Sequence, residues 1–89
     1  MATFQVLKSK SFDRDFKNYW YMPKIVALLK DAIAKLKEGK RLPKQHFLKG
    51  KMKGLLECHL KDDLLLLWSV NGTMIKLEHI GTHHQIFGR

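Results

Sequence analysis

Three short apolar segments joined by turn residues constrain the fold of this chain most. The segments are Leu55–Lys61, Leu64–Val70 and Thr73–Ile80, and each has the length of a β-strand. Asn71-Gly72 separates the last two, and both residues tolerate the positive φ of a tight hairpin turn. Asp62-Asp63 is a second, less specific turn signal. These features predict a three-stranded antiparallel meander in the second half of the chain.

The first half of the chain carries two helical patterns after a short strand. Residues 3–8 contain β-branched and aromatic side chains in partial alternation, which predicts a strand. Ser11 is expected to cap a first helix that ends near Met22. Pro23 suits the first turn of a second helix, for which Gly39 is the expected C-cap. The apolar residues of this second helix recur at helical spacing and are Ile25, Leu28, Leu29, Ala32, Ile33 and Leu36.

The predicted element order is β-α-α-β-β-β, which is an α+β arrangement. Two N-terminal helices are expected to pack on one face of a mostly antiparallel four-stranded sheet, with the first strand at an edge of the meander. A chain of 89 residues supports one hydrophobic core, so residues 1–89 are predicted to form a single domain. Leu56, Cys58 and Leu60 should face the helices, which places Glu57 and His59 together on the opposite face.

The composition is strongly basic. Seventeen Lys and Arg residues against eight Asp and Glu give a formal net charge of +9. Between Lys35 and Lys53, Glu38 is the only acid among many lysines. Such a field attracts polyanions and steers their approach, which favours a nucleic acid partner. An acidic protein or an anionic membrane surface would satisfy the same charge.

The chain shows no sign of export or membrane insertion. Its single cysteine, Cys58, excludes an internal disulfide framework and favours a reducing environment. The N-terminal residues lack the apolar segment of a signal peptide. The longest apolar run, Leu64–Trp68, is far shorter than the roughly 20 residues that span a bilayer. We therefore expect a cytoplasmic protein without membrane contacts.

Five histidines are the residues best suited to chemistry in this sequence. They lack the paired Cys-x2-Cys or His-x3-His spacing of closed zinc sites, so neither a metal nor another cofactor is expected. A metal-free ribonuclease needs only a general base, a general acid and cations, because RNA supplies its own 2′-hydroxyl nucleophile. An aromatic ring near the chain end can either hold an unstacked base or pin the tail to the core, and both roles stay open for Phe87. The residues that could provide these functions are His46, His59, His83, Lys49, Lys51, Lys53 and Phe87.

Two stretches of the second half carry a family resemblance. "HFLKGKMKGLLECHLKDDLLLLW" followed by "LEHIGTHHQIF" resembles the YafQ branch of the RelE/ParE toxin superfamily. That branch combines a His-x-Leu-x-Gly segment, an acid-x-His strand, an acidic turn and a terminal Gly-[Thr/Ser]-His-x3-Phe. The family positions that match residues of this chain, and that form the proton-transfer and base-holding site in the family, are His46, Glu57, His59, Asp63, His83 and Phe87.

The resemblance implies a RelE-like toxin of a type II toxin–antitoxin pair. Such a toxin is a ribosome-dependent endoribonuclease that cuts mRNA and is held by an acidic antitoxin in a hetero-oligomer. The chain has Leu56 and Leu64 where the family often has an arginine and a tryptophan. His84 has no family counterpart and should face solvent, whereas His79 is either a basic site residue or a partly buried structural histidine.

The resulting hypothesis is metal-independent cleavage by attack of the 2′-hydroxyl. His83 is expected to be the proton donor or base, with His59 and His46 as its partner or as phosphate ligands. Two other functions remain open at this point. A ParE-like toxin of the same fold would inhibit DNA gyrase by binding, and a plain RNA-binding module would have no activity.

Overall fold

The computed structural model describes residues 3–88, in which five strands form one sheet in the order β1-β5-β4-β3-β2. The strands are β1 (Gln5–Lys8), β2 (His46–Phe47), β3 (Leu56–Lys61), β4 (Leu64–Asn71) and β5 (Met74–Gly81). The meander of β3, β4 and β5 is antiparallel as predicted, and β1 joins its β5 edge. The predicted domain boundaries at residues 1 and 89 lie outside the described residues.

The prediction of four strands was wrong by one. β2 adds an antiparallel strand to the β3 edge, with His46 opposite Glu57 and Phe47 opposite Leu56. A strand of two residues has no hydrophobic period, so its pattern gives no sequence signal. The pairing of β1 with β5 is parallel, because the chain returns to the sheet through the helices that follow β1.

Three helices lie in the described part of the chain: α1 (Lys10–Phe16), α2 (Pro23–Lys37) and α3 (His83–Phe87). Ser9, rather than the predicted Ser11, caps α1, since its Oγ accepts a hydrogen bond from the Phe12 N–H at 2.9 Å. The predicted helix end near Met22 was also wrong. After α1 the backbone forms tight turns that bury Tyr19 in the core.

The ends of α2 follow the sequence signals closely. Pro23 is its first residue, and Glu38 is the C-cap. Gly39, which was predicted as the cap, is the next residue and has a φ of 75°. The N–H groups of Gly39 and Lys40 donate to the carbonyls of Leu36 and Lys35, which is the Schellman pattern of hydrogen bonds.

The two faces of the sheet carry separate hydrophobic cores. The first core lies between the sheet and helices α1 and α2, as predicted, and it contains Cys58. Burial raises the pKa of Cys58 to about 12, which agrees with its expected role as a small apolar residue. The second core, on the opposite face, packs α3 and the segment 48–55 against β4. Its residues are Leu65, Leu67 and Ile86, with partly buried Leu48, Met52 and Leu55 against them.

The lengths of the helices bear on membrane insertion. No helix within residues 3–88 is long and apolar enough to cross a bilayer.

Candidate active site

The predicted site residues come from four elements that meet where β3 turns into β4. His46 lies on β2, Glu57 and His59 lie on β3, and Asp63 lies in the turn that follows. His83 begins α3. As predicted, Glu57 and His59 point to the face opposite α1 and α2, since their register partners are Leu67 and Leu65 of the second core. The second core therefore forms the floor of the site.

Glu57 is a buried carboxylate between two histidines. Its side chain is 4% exposed, and its Oε1 lies 3.3 Å from Nε2 of His46 and 3.8 Å from Nε2 of His59. Burying a carboxylate without a partner is costly, so a neighbouring cation is strongly favoured. The pairing of β2 with β3 places the His46 imidazole directly opposite Glu57.

Backbone carbonyl groups orient both of these imidazole rings. Nδ1 of His46 lies 2.9 Å from the carbonyl oxygen of Lys44, and Nδ1 of His59 lies 2.9 Å from that of Asp62. A carbonyl oxygen can only accept, so Nδ1 carries the proton in both rings. Proton exchange with a substrate is therefore left to Nε2. The contact of His46 with Glu57 is a hydrogen bond when the His46 ring carries both protons.

His83 forms a second carboxylate–histidine pair, with Asp63. Its Nδ1 donates to Oδ1 of Asp63, and its backbone N–H donates to the same oxygen at 3.5 Å. The side-chain hydrogen bond from His83 lowers the pKa of Asp63 below its ordinary value. Asp63 therefore holds His83 in the tautomer that leaves Nε2 available for a substrate.

Ring contacts join the two pairs into one cluster. The ring centroids of His59 and His83 are 6.0 Å apart in an edge-to-face arrangement. Phe87 lies one helical turn after His83, with its ring centroid 5.8 Å from that of the histidine, and it is 42% exposed. The five residues predicted to be catalytic and the predicted base-holding ring thus lie together.

Helix α3 positions His83 and Phe87, and its existence was not predicted. Thr82 and Gln85 form a capping box, which is a sequence signal that would have identified the helix. Gln85 Oε1 also accepts a hydrogen bond of 2.5 Å from the hydroxyl of Tyr19. Ile86 of α3 is buried in the second core. A five-residue helix is not stable alone, so these tertiary contacts determine where His83 lies.

The predicted phosphate-binding lysines lie on a loop beside the site. Lys49, Lys51 and Lys53 are exposed around a short 3-10 turn at Gly50–Met52. The loop closes through a hydrogen bond from the Leu48 N–H to the carbonyl of Leu55, and its apolar residues pack on the second core. The loop therefore shares its support with α3.

Four other positions show how this chain differs from the motif. Leu56 and Leu64, at the family's arginine and tryptophan positions, are both buried in the first core, so neither faces the site. His79 is a partly buried histidine whose Nδ1 lies 3.0 Å from a carboxylate oxygen of Asp15, which supports the structural alternative. His84 is exposed, as predicted.

No metal centre is apparent in the described part of the chain. Within residues 3–88, no group of three or more His, Cys, Asp or Glu side chains is arranged to hold a metal ion. The site in this structure is defined by two carboxylate–histidine pairs.

The fold of this chain resembles that of small bacterial toxins. Residues 4–88 match a family described as "Bacterial toxin of type II toxin-antitoxin system, YafQ". The match covers nearly the whole chain, and this protein belongs to that family.

Individual relatives support the assignment. The mRNA interferase toxin YafQ of Escherichia coli strain K12 is 33% identical over 45 residues, which are 51% of this chain and 49% of that protein. The chain thus spans about half the length of this curated relative in the match. The E. coli DinJ–YafQ toxin–antitoxin complex contains a chain that is 27% identical, with a TM-score of 0.83, covering 97% of this chain and 99% of that one. A metal-bound toxin from Helicobacter pylori is 32% identical, with a TM-score of 0.79, covering 94% and 99% of the two chains.

Proposed function

We propose that this protein is an endoribonuclease that cleaves mRNA on the ribosome without a metal ion. The observation that carries the proposal is the His83–Asp63 pair, which lies beside His59 and the buried Glu57. General acid–base cleavage of RNA requires two proton-transfer groups on one surface. His83 and His59 can provide them through their Nε2 atoms. The name of the E. coli relative, an mRNA interferase, supports the same activity.

The proposed reaction is an in-line attack within one nucleotide. One histidine accepts the proton of the 2′-hydroxyl, and the 2′-oxygen forms a bond to phosphorus. The bond from phosphorus to the 5′-oxygen then breaks, and a second histidine protonates the leaving oxygen. The products are a 2′,3′-cyclic phosphate, which water can open, and a 5′-hydroxyl. His83 and His59 divide these two proton transfers.

The remaining site residues stabilise charge and hold the substrate. His46, in contact with Glu57, can stabilise the phosphorane oxygens when its ring carries both protons. Lys49, Lys51 and Lys53 take the role of the arginine that Leu56 replaces. Phe87 stacks on the base next to the cleaved bond, because its ring is exposed beside His83.

An acidic antitoxin is the proposed resting partner, in the cytoplasm. A net charge of +9 calls for a compensating anion, and the E. coli relative was crystallised with its antitoxin. The antitoxin would cover the site and the basic loop and prevent access to the ribosome.

His83→Ala is the variant that tests the activity. Wild-type protein induced in cells without antitoxin should arrest growth and produce mRNA ends at defined positions, whereas His83→Ala should do neither. Loss of a proton-transfer group costs about 10²- to 10⁴-fold in rate. The matched control is His84→Ala, an exposed histidine on the same helix, which should be as toxic as wild type.

The alternatives give different results in the same cells. Equal growth arrest by wild type and His83→Ala would contradict the assignment. DNA damage without mRNA cleavage would identify a gyrase-binding toxin. RNA binding with neither toxicity nor cleavage would identify a plain RNA-binding module.

A further inference from the structure

Exposed aromatic residues occupy the connection between α1 and α2. Trp20 and Tyr21 are 64% and 62% exposed, and Met22 follows them at 38%. The rings of Trp20 and Tyr21 pack edge to face, with centroids 5.9 Å apart at an angle of 83°. Large apolar side chains grouped in this way mark interaction sites on soluble proteins. The proposed reaction does not use these residues.

A cavity of about 470 Å³ opens beside Tyr21, whose ring contacts that of Trp20. Its six lining residues all lie in the described range and include no acid; they are Tyr21, Met22, Pro23, Lys24, Ile25 and Lys61. Sites for small organic groups have this size, and an apolar wall with cations suits a nucleotide. The base would stack on an aromatic ring, and the phosphate would contact an ammonium group. We call Trp20, Tyr21, Met22, Lys24 and Lys61 the Trp20 surface.

The Trp20 surface connects to the candidate active site at two points. Lys61 is the last residue of β3 and directly precedes the Asp62-Asp63 turn that orients His59 and His83. Tyr19, the neighbour of Trp20, donates its hydroxyl proton to Gln85 of α3. The Trp20 surface is therefore linked, through Lys61 and Tyr19, to the turn and the helix that hold His59 and His83.

We propose that the Trp20 surface is a subsite for an unstacked nucleotide of the RNA strand that is cleaved, outside the scissile step. The inference rests on the proposed function. An RNA strand is favoured over an acidic protein segment because the cavity, at about 470 Å³, has the volume of a site for a small organic group and is linked through Lys61 to the turn of the candidate active site. The basic lining has no carboxylate to repel the phosphates.

Intrinsic fluorescence gives a direct test, because the chain has two tryptophans and Trp68 is buried, with 1% of its surface exposed. Wild-type protein is titrated with a single-stranded RNA of about 12 nucleotides in which every ribose is 2′-O-methylated, so that cleavage is blocked. Stacking on Trp20 should quench the fluorescence. Trp20→Ala should abolish the quenching and weaken binding about 10-fold. Lys61→Ala should weaken RNA binding. It should also reduce the slope of the logarithm of the affinity against the logarithm of the salt concentration by about one.

Matched controls are available near the β4–β5 turn, at the end of the sheet away from the β3–β4 turn. Met74→Ala removes an apolar side chain that is 41% exposed, and Lys76→Ala removes an exposed lysine of β5. Both should bind RNA like wild type. Thermal unfolding should be the same for all variants, because each side chain is exposed.

Several results would overturn the subsite. One is an RNA affinity of Trp20→Ala equal to that of wild type. The others are fluorescence quenching by isolated small ribosomal subunits but not by the oligonucleotide, and fluorescence quenching only by an acidic antitoxin. Cleavage of unmodified mRNA on ribosomes is measured separately. Absence of cleavage by wild type counts against the proposed function, whereas cleavage by Trp20→Ala with an unchanged KM for the mRNA counts against the subsite.

Discussion

Single residues of the site show that its two carboxylates have different surroundings. Glu57 is almost fully buried between two histidines, whereas the side chain of Asp63 is 58% exposed beside His83. A buried carboxylate interacts strongly with a neighbouring cation, while an exposed one is screened by water. Glu57 therefore contacts its histidines away from water, whereas Asp63 orients one ring at the surface.

Asp63→Asn should give a pH-dependent loss of stability. The pKa of Asp63 is lowered in the folded state, so its contribution is present above the unfolded pKa of about 3.9 and disappears as the pH falls through the folded value. Wild type should melt at a higher temperature than Asp63→Asn at neutral pH, by a small margin because Asp63 is exposed.

Thermal unfolding from about pH 7 down to about pH 3 measures this difference. The two melting temperatures should converge at the acid end. Asp62→Asn is the control, since the Asp62 backbone carbonyl, and not its carboxylate, contacts His59. A difference between wild type and Asp63→Asn that persists unchanged at the lowest pH would contradict the ionic role of Asp63.

Among the elements, α3 depends most on its surroundings. The helix carries His83 and Phe87, yet it has only five residues. Its anchors are the capping box of Thr82 and Gln85, the burial of Ile86, and the hydrogen bond from Tyr19. Burial raises the pKa of Tyr19, so its hydroxyl remains a proton donor at neutral pH.

Tyr19→Phe should reduce cleavage more than it reduces stability. The variant keeps the buried ring and removes only the donor to Gln85, a loss of about 1 kcal/mol in the free energy of unfolding. His83 would then be held less firmly at the scissile bond, and kcat should fall while KM changes little. Chemical denaturation and single-turnover cleavage measure the two effects. Unchanged kcat in a folded Tyr19→Phe protein would contradict the positioning role.

For the whole molecule, the structure tests how far a sequence determines a small fold. The strands of the meander were predictable because turn residues such as Asn71-Gly72 separate apolar segments. β2 was not, because two residues have no period and the strand forms through the distant contact of His46 with Glu57. α3 was missed although Thr82 and Gln85 carry its capping-box signal, because five residues are too few for a helical period. The histidines could therefore be identified from motif spacing, whereas only the structure shows that they form two carboxylate–histidine pairs.

The proposed mRNA cleavage should not require a metal ion bound to the protein. Wild-type protein stripped by a chelator and returned to ribosomes in magnesium buffer should cleave mRNA at its original rate, because the proposed mechanism assigns both proton transfers to His83 and His59. Elemental analysis of the stripped protein should find no stoichiometric transition metal. Activity that is lost on stripping and restored by zinc or copper would contradict a metal-independent mechanism.

The two separate cores allow stability and activity to be altered independently. Core substitutions among residues such as Leu29 or Leu36, packed between α2 and the sheet, change how tightly the chain folds and leave the histidines in place. Ile86, Leu65 and Leu67 instead support α3, the helix that carries His83. Under the proposed function, first-core positions such as Leu29 and Leu36 are free to diverge under selection for folding alone, whereas Tyr19 and the small apolar layer beneath α3 are also constrained by the position of His83.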